Sequence, residues 1–189
     1  MKLNIIKLLS GGDKRSIGNV ERIVKIVNKN PEYLDVLFQS ILLNDELIRM
    51  RAMDAIEKIS QQNKQCLGPY KKFILNKVAF YDQQEVKWHV AQIVSRLTLT
   101  DEERRKVYDL LIDRYLVDKS SIVKTSAMQA LVELSLNDKT LKKKVAKIIK
   151  QLVRTGTPAM KARGKKLLLM LDNVATFRIL VANRSPNQQ

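Results

Sequence analysis

Four segments of the chain carry one helical pattern at an almost constant interval. In "ELIRMRAMDAIEKIS" the residues Ile48, Ala52, Ala55, Ile56 and Ile59 fall on one face of a helix. In "EVKWHVAQIVSRL" the same places hold Val86, Val90, Ile93, Val94 and Leu97, and in "SIVKTSAMQALVEL" Val123, Ala127, Ala130, Leu131 and Leu134. In "PAMKARGKKLLLML" they hold Met160, Gly164, Leu167, Leu168 and Leu171. The leading positions 48, 86, 123 and 160 are 38, 37 and 37 residues apart. A period of that size with helical phase predicts stacked helical hairpins, because one hairpin cannot bury its apolar face alone. The expected fold is an all-α solenoid of about four to five hairpins. It forms a single domain over 1–183, with repeats at roughly 1–28, 31–62, 67–98, 100–135 and 138–172. A C-terminal helix over 174–182 and a disordered tail over 184–189 follow.

Other columns keep the register. The residue after each leading position is basic (Arg49, Lys87, Lys124, Lys161), and its expected role is structural, bonding nearby acids. The inward column Ala52, Val90, Ala127 and Gly164 is small or short, which lets helices approach closely. An acidic column lies upstream at Asp45, Asp82 and Asp118, and Gly156 takes its place in the last unit. First helices are expected at roughly 31–43, 69–80, 101–116 and 139–154. Asn30 before Pro31, Thr100 with Glu103, and Thr157 before Pro158 carry start-of-helix chemistry. A shorter first unit fits 2–28: a helix over 2–9, a Gly11–Gly12 turn, and a helix carrying Val20, Ile23, Val24 and Val27.

"DELIRMRAMDAI" and "SSIVKTSAMQAL" resemble the second helices of HEAT repeats, and the resemblance covers roughly 31–172. It implies a binding scaffold more than it implies chemistry. One group with HEAT-like repeats removes alkylated bases from DNA through a basic concave groove, aromatic residues and an acid. That resemblance would give Trp88 and Asp54 an alkylpurine glycosylase role, but the chain lacks a second tryptophan. Asp54 also has Lys58 four residues on as a plain helical partner.

Composition narrows the function classes. One cysteine, Cys66, and one histidine, His89, leave no disulfide framework and no zinc-ligand spacing, so neither metal nor cofactor is expected. The same cysteine usage, with no signal peptide and no apolar run of membrane-spanning length, fits a cytoplasmic protein. No phosphate-cradling loop, nucleophile elbow or kinase signature is present, so no catalytic residue is assigned.

The net charge of +16 is unevenly placed. From Lys139 to Lys166, "KTLKKKVAKIIKQLVRTGTPAMKARGKK" holds eleven Lys and Arg and no Asp or Glu. Lys143, Lys147, Lys150 and Arg154 are spaced by four, three and four, opposite the apolar face of Leu141, Val145, Ile148, Ile149 and Leu152. A solvated helix face explains the stripe but not its single sign, since like charges at i,i+4 repel. These four, with Lys161, Arg163, Lys165 and Lys166, are the expected anion-binding residues. The expected partner is nucleic acid, as duplex DNA or structured RNA, gripped through its phosphates. Few aromatic residues argue against base stacking. The alternative is a scaffold for an acidic protein; an anionic membrane surface is a weaker third choice. On the second helices an outward column (Met50, Trp88, Thr125, Ala162) suggests a groove, with Arg51, Trp88 and His89 as its contact residues.

Overall fold

The computed structural model describes residues 4–13 and 16–182, and the side chains of its last helix as far as residue 173. The described residues form ten α-helices and no strand. By their packing the helices fall into two compact units, Met1–Glu103 and Arg104–Gln189. Unit 1 holds α1 (Ile5–Leu9), α2 (Val20–Lys29), α3 (Tyr33–Ser40), α4 (Glu46–Gln62), α5 (Lys71–Asn76) and α6 (Gln84–Val94). The boundary falls within α7 (Asp101–Leu110), and unit 2 adds α8 (Ser121–Ser135), α9 (Lys139–Thr155) and α10 (Pro158–Ala182).

The helical periodicity translates directly into burial. Every residue of the four apolar faces is buried except Leu134 and Leu168, which are half-buried. In unit 1, α4 is central and packs against α1, α2, α3 and α6. In unit 2, α8, α9 and α10 pack on one another in pairs. The small inward column is fully buried at Ala52, Val90 and Ala127, and Gly164 is buried with them.

The acidic column does three different jobs. Asp45 caps α4, accepting from the backbone N–H groups of Leu47 and Ile48 at 2.9 and 3.0 Å. Asp118 accepts from Ser120 N, and Ser120 in turn is the N-cap of α8. Asp82 is exposed and lies 3.4 Å from Lys87. Asp138, outside that column, caps α9 through Thr140 and Leu141. Thr100 and Glu103 form the expected reciprocal box, with bonds of 2.8 and 3.2 Å. Thr157 accepts from Met160 N at 3.4 Å.

Several expectations need correction. The helix expected at 69–80 is broken: a 3-10 turn over Lys64–Tyr70 leads into the six-residue α5, and another follows at Val78–Phe80. Pro69, inside the first turn, has no N–H to donate and cannot continue an α-helical ladder. Asn30 does not open α3; its side-chain amide donates back to Ile26 O and closes α2. Of the basic column, Lys87 pairs with Asp82 as expected, but Arg49 is bound to the Ile41 and Leu43 carbonyls and to Gln83 Oε1, and it lies over the Tyr81 ring. Its guanidinium makes no bond to the Asp45 carboxylate among the described residues. The helix expected at 174–182 is not separate, since α10 runs unbroken from Pro158 to Ala182. Residues 2–3 and the tail at 184–189 lie outside the described residues.

Candidate functional site

Of the three expected groove contacts, two are enclosed by the fold. Arg51 is 1% exposed, and His89 is buried as well. Trp88 is half-buried, its ring centroid 5.4 Å from that of His89. Arg51 and His89 hold equivalent repeat positions, and both turn toward the preceding hairpin rather than outward. Arg51 reaches the turn that follows α1, and His89 faces α4. In α4 and α6 the preceding hairpin covers the flank that carries Arg51 and His89, while the column at Met50 and Trp88 is half-buried.

Around His89 the polar side chains are already satisfied. Its Nδ1 lies 3.0 Å from Gln92 Oε1. Asp54 is held by Lys58 at 3.2 Å, and Lys58 is also 3.0 Å from Glu21 of α2. Glu57 pairs with Arg96 at 2.6 Å and accepts from Gln61 with both oxygens. Arg96 also donates to Ser60 Oγ and to the Glu57 carbonyl. This pair links α4 to the end of α6, 39 residues apart. Sequence reasoning missed it, although an acid and a base one repeat apart are a readable signal.

Burial holds the His89 pKa below the ordinary histidine value, against Asp54, Gln92 and Glu57, which favour the charged ring. The native ring therefore resists a proton that the unfolded chain accepts below about pH 6.5. Stability is full above that value and falls as the pH drops through it. The chain has one histidine, so comparison with a variant at that position isolates the share of this window that belongs to His89. Urea midpoints measured at pH 7.5 and 5.5 are expected to show the loss in the native sequence and a flat response in His89→Gln. An equal loss in both proteins would assign the effect elsewhere.

The basic residues of unit 2 are disposed differently. Lys143, Lys147, Lys150 and Arg154 on α9, and Lys161, Arg163, Lys165 and Lys166 on α10, are all exposed. Among the described residues no carboxylate pairs with any of them. Lys161 shows how the last repeat departs from the others. Its counterparts Arg49 and Lys87 are engaged in the fold, but the acid that precedes them is here Gly156. A Cβ on Gly156 would stand 2.5 Å from Leu152 O and 2.9 Å from Met160 Cβ, so the α9–α10 turn has no room for an acid. Lys161 is exposed and lacks the carboxylate that stands beside Lys87.

No group of three or more His, Cys, Asp or Glu stands together as metal ligands among the described residues, and no described helix is long and apolar enough to cross a membrane. Comparison with curated proteins and with solved structures gives no match. Comparison with protein families matches residues 12–170 to the HEAT repeat domain. With its all-α hairpins in a register near 37 residues, the chain belongs to the HEAT repeat domain family, a class of repeat-built binding scaffolds.

Proposed function

We propose that the protein is a non-catalytic binding module that holds nucleic acid through phosphate contacts from α9 and α10. One observation carries this reading: eight exposed cations on two consecutive helices have no carboxylate partner among the described residues. On α9 the run 143–147–150–154 places like charges one turn apart, which costs a few tenths of a kcal/mol per pair when nothing negative is near. A phosphate backbone relieves that repulsion and releases condensed counterions as it binds. The segment 139–166 has no aromatic residue, so the contact reads backbone rather than base faces. Asp54, the acid to which the resemblance would give an excision role, is tied to Lys58, which favours binding over catalysis.

The test is a salt titration against a labelled duplex of random sequence. Association is expected to weaken with a log–log slope of about −3.6 or steeper, the value for four or more phosphates neutralised. No measurable binding at low salt overturns the reading. A second reading, an acidic protein partner, is favoured by membership in a scaffold family. It gains ground if an acidic polypeptide binds unit 2 while the duplex does not.

A further inference from the structure

Arg51 is a charged side chain that the binding reading leaves unused, and its surroundings are unusual. It is buried in α4, yet no carboxylate pairs with it among the described residues. All five of its N–H donors go instead to backbone carbonyls of the turn after α1. Nε donates to Ser16 O at 3.2 Å. Nη1 donates to Leu9 O and Gly11 O at 2.8 and 2.5 Å. Nη2 donates to Asp13 O and Ser16 O at 3.2 and 3.1 Å. The turn is shaped for this group. Gly11, Gly12 and Gly18 have φ of 78°, 76° and 56°, values that favour glycine. A Cβ on Gly18 would stand 2.8 Å from Arg51 Cζ and 3.0 Å from two of its nitrogens.

Apart from this cage, α1 offers only a short packing surface. The five residues of α1 are too few to persist alone. Two buried side chains, Ile5 and Leu9, anchor the helix, which packs on α2, α3 and α4. Beyond these, Asn19 Nδ2 reaches Leu8 O at 3.3 Å.

The geometry points to α1 and the described residues 10–13 and 16–18 that follow it being a strap that opens together, with Arg51 as the clasp. When it opens, the apolar surface that α1 covers on α2, α3 and α4 becomes accessible while the rest of unit 1 stays folded. Lysine cannot replace the clasp, because three donors on a compact ammonium cannot satisfy four carbonyls spread around a planar guanidinium.

Hydrogen exchange followed by mass spectrometry tests this on the full chain. In Arg51→Met and Arg51→Lys, amides of 5–12 and 16–19 are expected to exchange on the order of a hundredfold faster, while those of α4 and α6 change by less than about threefold. Unchanged protection over 5–12 would overturn the clasp. Acceleration of α1 and α4 in step would overturn the separate strap. Should the variants fail to fold, native-sequence protein in low urea decides the matter. The strap amides then open at lower urea than those of α4, or the proposal is wrong.

Discussion

Reversing Lys143, Lys147 and Lys150 together to Glu is expected to weaken binding to a random-sequence duplex by a few hundredfold at about 0.1 M salt. Each phosphate contact contributes about 0.9 to the salt slope, so losing three contacts removes about 2.7 from it and, at that salt, nearly as many decades of affinity. Repulsion by the new carboxylates adds to the loss. All three lysines are exposed, and none takes part in packing or in an ion pair among the described residues, so the fold is not at stake. The substitutions should even favour α9, because a carboxylate at position 150 stands four residues before Arg154 and one at position 147 stands three after Lys144. Thermal melting therefore separates the two effects: the midpoint holds or rises while affinity collapses. Reversing Lys25 and Lys29 of α2 with Lys72 of α5, which are also exposed, changes the net charge by the same amount and should change binding by only a few-fold. If both sets weaken binding equally, the contact is diffuse and the α9 stripe has no special part in it. An unchanged slope in the α9 variant would remove the proposed interface.

The fold was legible in the sequence because its dominant force is periodic. Apolar burial follows the helical repeat, and the faces at 48–59, 86–97, 123–134 and 160–171 needed only the 3.6-residue phase to be assigned. Local polar chemistry was harder to read. Asp45 and the Thr100–Glu103 box follow capping rules, whereas Asn30 bonds backward to Ile26 and closes the previous helix. Either use satisfies orphan backbone groups, so residue type alone does not choose between them.

The candidate site was half legible, for a physical reason. Charge on α9 and α10 is a property of composition and phase, and exposure follows once the apolar face is known. The groove contacts depended on what stands beside each helix. Arg51 and His89 sit on flanks that a lone helix would expose, and a neighbouring hairpin covers them. For Arg51 a signal was present but unused. Three glycines at 11, 12 and 18 mark a turn that folds tightly over something, and the guanidinium is what it encloses. For His89 the partners Asp54 and Gln92 lie one repeat earlier and one turn later, a pairing visible only after the repeats are aligned in register.

Gly164 joins the small column of the sequence to the support of the basic helices. A Cβ there would stand 2.5 Å from Val153 Cγ2 of α9, 3.2 Å from Met128 Cε of α8 and 3.6 Å from Ile149 Cγ2. Met128 can yield, because a methionine end is flexible. Val153 cannot yield cheaply, because a β-branched side chain in a helix is nearly confined to one χ1 rotamer. Gly164→Val is therefore expected to destabilise unit 2 by about 3 kcal/mol through overpacking. Gly164→Ala should lose less, since alanine recovers about 1 kcal/mol of helix propensity. Removing the obstruction tests the cause. In a double-mutant cycle, Val153→Ala should make Gly164→Ala neutral or stabilising, giving a coupling of about 1 kcal/mol or more. If the two substitutions are additive, helix approach at Gly164 does not limit unit 2. The effect should also reach binding: where Gly164→Val parts α9 from α10, duplex affinity falls with every lysine still in place, and Val153→Ala with Gly164→Ala leaves it unchanged. A binding loss that tracked charge alone and ignored Gly164 would mean that α9 acts as an independent basic helix, with no need of the hairpin that holds it.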